Sequence, residues 1–101
     1  MNSKRSEESV LRFEQRDLSS SNWQNFRSKV MGVLANESGD LVLDLRNVKY
    51  VFSGVLNVMI EARVRLRTLG SELSLIVDNQ EFYELLQKVG FHEIFVIRYG
   101  E

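Results

Sequence analysis

The chain has 101 residues, of which 44% are hydrophobic and 27% charged, and its formal net charge is −1. This length is typical of one domain with a single core. Because the positive and negative charges nearly cancel, we expect no electrostatic potential that would attract nucleic acid or an anionic membrane surface. Cysteine is absent, which excludes disulfides, thiolate nucleophiles and cysteine-based metal sites and makes the cytoplasm the simplest expected location.

The amino-terminal residues 1–8 are polar and contain no apolar core. We therefore predict a disordered lead there, not a signal peptide, and a single domain over residues 9–101. The longest apolar-rich run, Val55–Leu69, is interrupted by charged side chains and is too polar to cross a bilayer. No insertion into a membrane is expected.

The first predicted elements are a strand and an amphipathic helix. Val10–Glu14 has the composition of a strand, and Gln15–Leu18 leads away from it. Residues that favour helix N-caps follow at Ser19–Asn22. Apolar residues then recur on one helical face, at Trp23, Phe26, Val30, Val33 and Leu34. This helix is predicted to end at the turn Asn36–Asp40.

The central segment predicts a buried strand, a corner and a long helix. Leu41–Leu45 is almost continuously apolar, which is typical of a strand covered on both faces. A second extended run, Val48–Val51, leads to a corner where a helix begins at Ser53 or Gly54. Gly70 occupies the position that follows a helix end. The apolar face of this helix comprises Val55, Met59, Ala62, Leu66 and Leu69.

The last third predicts a strand, a short helix and a final strand. Glu72–Val77 is the strand, and Asp78–Glu81 has the form of a helix capping box. Ile94–Ile97 ends the chain as a strand or extended segment. Between them, a helix closed by Gly90 carries an apolar face of Phe82, Leu85, Leu86 and Val89.

The order β-α-β-α-β-α-β predicts an α/β fold with a central mixed, mostly parallel sheet of about four strands and helices packed on it. Asp44 lies inside an apolar strand, so its carboxylate needs a partner, and a structural role is favoured over a chemical one. His92 is the only histidine, and no phosphate-binding glycine run occurs. We expect no catalytic site, no metal and no cofactor.

Two residues at the corner can each be interpreted in two ways. Ser53 would be a helix N-cap or, at the anion-friendly end of a helix, a phosphorylation site. Phe52 would be a core aromatic or an exposed contact for a partner. Further along the same helix, Arg63 and Arg67 lie on one face. We expect that face to contact only solvent or, as the alternative, to bind an anion. Glu61 can form an ion pair with Arg65.

The order and spacing of these segments resemble the STAS domain, the fold of anti-sigma factor antagonists. The resemblance lies in Asp40–Leu69, in Gly70–Leu75 and in the ending Leu85–Phe95, and Asp17–Asn22 is similar to the family's segment before its first helix. The chain departs from the family at the corner. Phe52 replaces the usual acidic residue, and Gly54 follows the serine directly, so that Val55 stands at the usual glycine position.

The resemblance implies a non-enzymatic regulator of bacterial transcription that acts by partner switching. Its partner would be an anti-sigma factor that is also a serine kinase, Ser53 would be the phosphoacceptor, and a phosphatase would reset the system. The implied partner-binding surface comprises Phe52, Ser53, Gly54, Asn57, Asp17, Ser20 and Ser21.

Two other functions remain open. STAS-like domains also occur in larger assemblies such as transporter complexes, where Phe52 would be a constitutive contact and Ser53 only a cap. An enzyme or small-ligand sensor is disfavoured by the shortage of catalytic groups, although a ligand could bind at the carboxyl end of the sheet. A homodimer through a strand edge or the aromatic corner is possible.

Overall fold

The computed structural model describes residues 8–36 and 39–100. Seven residues of the predicted lead, and residues 37 and 38 of the predicted turn, lie outside the described residues. Two short 3₁₀ turns, Gln15–Leu18 and Phe91–Glu93, accompany the regular elements. These are β1 (Glu8–Arg12), α1 (Trp23–Asn36), β2 (Asp40–Asp44), α2 (Ser53–Thr68), β3 (Leu73–Val77), α3 (Gln80–Lys88) and β4 (Val96–Tyr99).

The strands form one sheet in the order β1-β2-β3-β4, and every pair is parallel. The predicted α/β order is confirmed, and the described sheet is wholly parallel where a mixed one was expected. Val10, Val42, Ser74 and Val96 share one row across the sheet. Because the strands are parallel, all their carboxyl ends meet at one edge, and the corner that starts α2 follows the carboxyl end of β2.

The helices cover one face of this sheet. Leu41 and Leu43 of β2 belong to the same core cluster as Phe26 of α1 and Met59 of α2. Val42, on the opposite face of β2, is 1% exposed but lies outside that cluster. Burial on both faces confirms the prediction made from the continuous apolar run of this strand.

The ends of two helical faces are more exposed than their spacing predicts. Leu69 is 61% exposed because it follows the last residue of α2 as the C-cap, where the chain already turns. Gly70 adopts φ +76°, the left-handed conformation expected after a helix end. On the predicted face of α3, Leu85 and the C-cap residue Val89 are also exposed. The other members of these two stripes are buried, including their first residues, Val55 and Phe82.

The segment Val48–Val51, predicted as a strand, is a loop. Asn47 takes φ +76°, which ends the extended path of β2, and its N–H donates to the Asp78 carboxylate at 2.8 Å. The Lys49 N–H donates to the side-chain oxygen of Gln15 at 2.7 Å, so a side chain takes the place of a neighbouring strand. Val48 is nevertheless fully buried.

Other boundaries moved by one or two residues. β1 begins at Glu8 rather than Val10, and β4 runs over Val96–Tyr99 instead of beginning at Ile94. The cap of α3 is Asn79, whose side chain accepts the Phe82 N–H at 2.9 Å. The predicted capping box was wrong because the Asp78 carboxylate bonds the loop after β2 instead.

Candidate functional site

The corner, residues 51–54, is the point where α2 begins. Phe52 is the N-cap residue, with extended backbone and no side-chain cap bond, and Ser53 is the first helical residue. The interpretation of Ser53 as a capping side chain was therefore wrong. Within the part of the chain that the structure describes, the exposed Ser53 hydroxyl has no hydrogen-bond partner. A hydroxyl in that position is free to meet a partner or a modifying enzyme.

Gly54 leaves room for the close approach of two aromatic rings. A Cβ at this position would lie 3.0 and 3.1 Å from ring atoms of Phe52 and 3.3 Å from Cδ2 of Trp23. Contacts of 3.0–3.4 Å are tighter than nine in ten real Cβ contacts, so the rings would have to move by a few tenths of an ångström. The two departures from the family pattern thus belong together, because the ring at position 52 occupies the space that a side chain at position 54 would fill.

Phe52 is a partly supported, partly exposed aromatic. Its ring centroid lies 6.0 Å from that of Trp23, with the planes tilted by 34°. The side chain remains 38% exposed, so Phe52 is not a core residue. An aromatic that is held on one side and open on the other offers apolar contact area at little further cost in side-chain entropy.

Two sets of hydrogen bonds attach the corner to the first 3₁₀ turn. The Phe52 N–H donates to the Leu18 carbonyl at 2.9 Å. The Gln15 amide donates to the Tyr50 carbonyl and accepts the Lys49 N–H, both at 2.7 Å. A single side chain thus satisfies backbone groups of the loop that a strand neighbour would otherwise satisfy.

The other predicted partner-binding residues have different surroundings. The Asp17 carboxylate is engaged, because it accepts the Glu14 N–H at 2.7 Å and so closes the first 3₁₀ turn. Ser20 and Ser21 are exposed in the turn before α1. Asn57 is exposed on α2, one helical turn after Ser53. The Leu18–Phe52 bond joins the segments that carry them, and their role in binding stays a prediction.

Asp44, at the carboxyl end of β2, forms a structural ion cluster. It is 5% exposed, and the Arg46 guanidinium donates to its two oxygens at 3.0 and 2.7 Å. The Arg46 N–H adds a bond of 3.2 Å, and Arg12 lies 3.6 Å away. The Arg46 side-chain hydrogen bond, aided by its N–H and by both arginine charges, lowers the pKa of Asp44 although burial opposes the shift. This carboxylate is fully engaged, as the structural interpretation predicted.

The described residues contain no group of three or more His, Asp or Glu side chains that could hold a metal ion. His92 is exposed, and its Nε2 lies 3.8 Å from the Glu93 carboxylate. Over the same part of the chain, no helix combines the length and apolarity that spanning a bilayer needs.

Trp23 and Gln15 support the corner and the loop before it, and sequence reasoning missed both roles. Trp23 was placed on the core face of α1, yet it is half-buried and contacts Phe52. The glycine directly after Ser53 was a signal that some group approaches closely there. Nothing in the sequence pointed to Gln15, because its partners are backbone groups 34 and 35 residues away.

The comparisons with known proteins agree with this architecture. The family model described as the STAS domain matches residues 3–100. Neither a curated protein nor a solved structure matches the chain. Because the family model covers nearly the whole chain, and because the alternating parallel architecture is the one expected of it, this protein belongs to the STAS domain family.

Proposed function

We propose that this protein is a non-enzymatic, cytoplasmic regulator that binds a serine-kinase anti-sigma factor through the corner of α2 and is released by phosphorylation of Ser53. STAS domains are generally binding domains without catalytic activity. Partner switching of this kind would place the protein in the control of bacterial transcription, with a phosphatase that restores the binding form.

The observation that carries this proposal is the Ser53 hydroxyl beside a supported aromatic. Ser53 is exposed, makes no hydrogen bond within the described residues and stands at the first position of a helix of 16 residues. Phe52 next to it presents its open side to solvent while Trp23 supports the other. The corner therefore combines an apolar contact with a modifiable group at one place.

A phosphate on Ser53 would alter the surface without disturbing the fold. The modification adds roughly −1.5 to −2 charges at pH 7. Among the described residues, the N–H groups of Ser53 and Gly54 have no backbone partner, whereas that of Val55 bonds the Phe52 carbonyl at 2.8 Å. Free N–H groups and the helix dipole both stabilise negative charge there. The phosphate would thus be tolerated by the domain and would repel or block a partner.

Binding can be tested by titration calorimetry of the purified protein with a serine-kinase anti-sigma factor, sought first among the products of neighbouring genes. We expect Phe52→Ala to weaken binding by about tenfold or more, as for a supported aromatic at an interface. Leu69→Ala removes a more exposed apolar side chain just after the carboxyl end of α2 and should leave the affinity unchanged. Equal effects of the two substitutions would contradict docking at the corner.

Phosphorylation is tested by incubating wild type and Ser53→Ala with the same kinase and ATP and measuring intact mass. Wild type should gain one phosphate and Ser53→Ala none, and the phosphorylated form should lose affinity for the kinase. Because the Ser53 side chain makes no cap bond, Ser53→Ala should keep the stability of the wild type. Binding without any mass gain would remove the switch and leave a constitutive module of a larger assembly.

A further inference from the structure

The carboxyl end of α2 borders a groove of about 450 Å³ that lies away from the corner. Along the helix, Arg67 is about 21 Å from Ser53, at 1.5 Å per residue. The walls combine the segments that lead into β3 and β4 with two arginines of α2. They comprise Arg63, Arg67, Gly70, Ser71, Glu72, Leu73, Glu93, Ile94, Phe95 and Val96.

Both groove arginines lack an acidic partner in the described part of the chain, unlike their neighbours. Glu61 pairs with Arg27 at 3.1 Å and with Arg65 at 3.4 Å, so its carboxylate serves two other arginines. Arg63 and Arg67 have no carboxylate within ion-pair distance among the described residues. Two guanidinium groups four residues apart on one helix lie close enough to share an anion.

Arg63 is already oriented. Its Nε–H donates to the Ile94 carbonyl, which fixes the guanidinium at the edge of the groove. A guanidinium has five N–H donors, so this bond leaves four for a ligand. Arg67 is exposed, and its guanidinium has no hydrogen bond within the described residues, so it is free to close on an anion that Arg63 has received.

The remaining walls restrict the class of ligand. Leu73 and Phe95 are buried and supply an apolar surface, and the volume lies in the range of small-molecule sites. Glu72 and Glu93 also line the groove and bring its formal charge to zero, which disfavours nucleic acid and other polyanions. A compound with one anionic group and an apolar part matches both features.

We propose that Arg63 and Arg67 bind a small molecule that carries one carboxylate or phosphate group and rests its apolar part on Leu73 and Phe95. This site is independent of the partner-binding corner. The probes are phenyl phosphate and benzoate, which separate the two anionic groups, with benzyl alcohol as the neutral counterpart. The measurement is the shift of backbone amide resonances during titration of the full chain.

We expect saturable shifts of the amides of residues 70–73 and 94–96 with at least one anionic probe, and none with benzyl alcohol. Arg67→Ala should weaken that binding about tenfold, the worth of one charge-assisted hydrogen bond. Arg65→Ala removes an equal charge that Glu61 already pairs, and it should leave the affinity unchanged. Because Arg67 is exposed, its variant should fold, which the same spectra check.

Three results would overturn the site: no saturable shift with either anion, shifts that map outside the groove, or equal weakening by Arg65→Ala and Arg67→Ala. The last result would mean that the helix end attracts anions only through its total charge. Tighter binding of one anionic probe would identify the group that the natural ligand carries.

Discussion

At its amino end, α2 begins beside two aromatic rings that approach a glycine, whereas at its carboxyl end it presents two arginines to an open groove. The first region is built by close contact and by backbone hydrogen bonds, so small changes of volume should alter it. The second depends on charges that have no acidic partner among the described residues. One helix therefore carries two surfaces with different chemical requirements, and substitutions at one should leave the other intact.

The largest expected effect is a difference in stability between two leucine substitutions near the carboxyl end of α2. Leu66 is 3% exposed, and Leu66→Ala should lower the free energy of unfolding by about 2–4 kcal/mol, as for other large-to-small core changes. Leu69 is 61% exposed, and Leu69→Ala should change it by less than about 0.5 kcal/mol. Urea denaturation measures both. A comparable loss for Leu69→Ala would mean that this helix end is more closely packed than described.

A smaller loss of stability is expected when the ion cluster of Asp44, Arg46 and Arg12 is broken. Asp44→Asn should cost about 1–3 kcal/mol, because it removes a charged acceptor from Arg46 and Arg12. The Arg46 hydrogen bond lowers the pKa of Asp44 in the folded state. Its stabilisation is therefore complete above the unfolded-state value of about 3.9 and is lost as the pH falls through the lower folded-state value.

Urea denaturation of wild type and Asp44→Asn between pH 7 and pH 2 tests this dependence. The difference between the two proteins should be constant near neutrality and should shrink only at acidic pH. Glu81→Gln, at an exposed position of α3, serves as the control and should match the wild type within about 0.5 kcal/mol at neutral pH. A difference that disappears above pH 5 would contradict a lowered pKa.

The smallest effect tests the contact between Phe52 and Gly54. Gly54→Ala adds a methyl group 3.0 Å from the Phe52 ring, so the ring must move. The stability that replacing glycine by alanine usually adds to a helix should therefore be lost. In a Phe52→Ala background the same change should stabilise the protein by about 0.5–1 kcal/mol.

The resulting coupling free energy should be about 1 kcal/mol, measured by denaturation of the four proteins of the double-mutant cycle. Gly32 is a matched control in α1, because a Cβ there would meet nothing within 4 Å. Gly32→Ala should stabilise the protein equally with or without Phe52. Additive effects of the Gly54 and Phe52 substitutions would show that the ring does not occupy that space.

Helical periodicity predicted the buried face of α2 correctly except at its carboxyl end. Met59 and Leu66 are buried because the middle of α2 must face the sheet wherever the helix begins. Leu69 follows the same spacing but is exposed, because the helix ends before it and the chain turns there. Spacing alone cannot place that end to within a residue.

At the corner too, the sequence predicted some features, whereas others depended on details of the backbone. Ser53 was expected at the start of a helix, and the helix does start there. Whether its side chain caps the helix depends on the local backbone, which left Phe52 as the N-cap residue. The Asp17 carboxylate accepts the N–H of Glu14, three residues earlier, and its place at a binding surface stays a prediction. Short polar side chains bond the nearest backbone donor, which sequence patterns do not identify.

The sequence by itself determined the alternation of strands and helices, the buried central strand and the serine at the start of α2. Those features follow from local composition and spacing, which act within one or two turns of chain. Membership of the STAS family rests on the match of the family model to nearly the whole sequence. Only the tertiary structure decided that Trp23 supports Phe52, that Gln15 holds the loop before α2, and that Arg63 and Arg67 border a groove. Such contacts join residues about 30 or more positions apart, so they exist only once the sheet has brought their elements together.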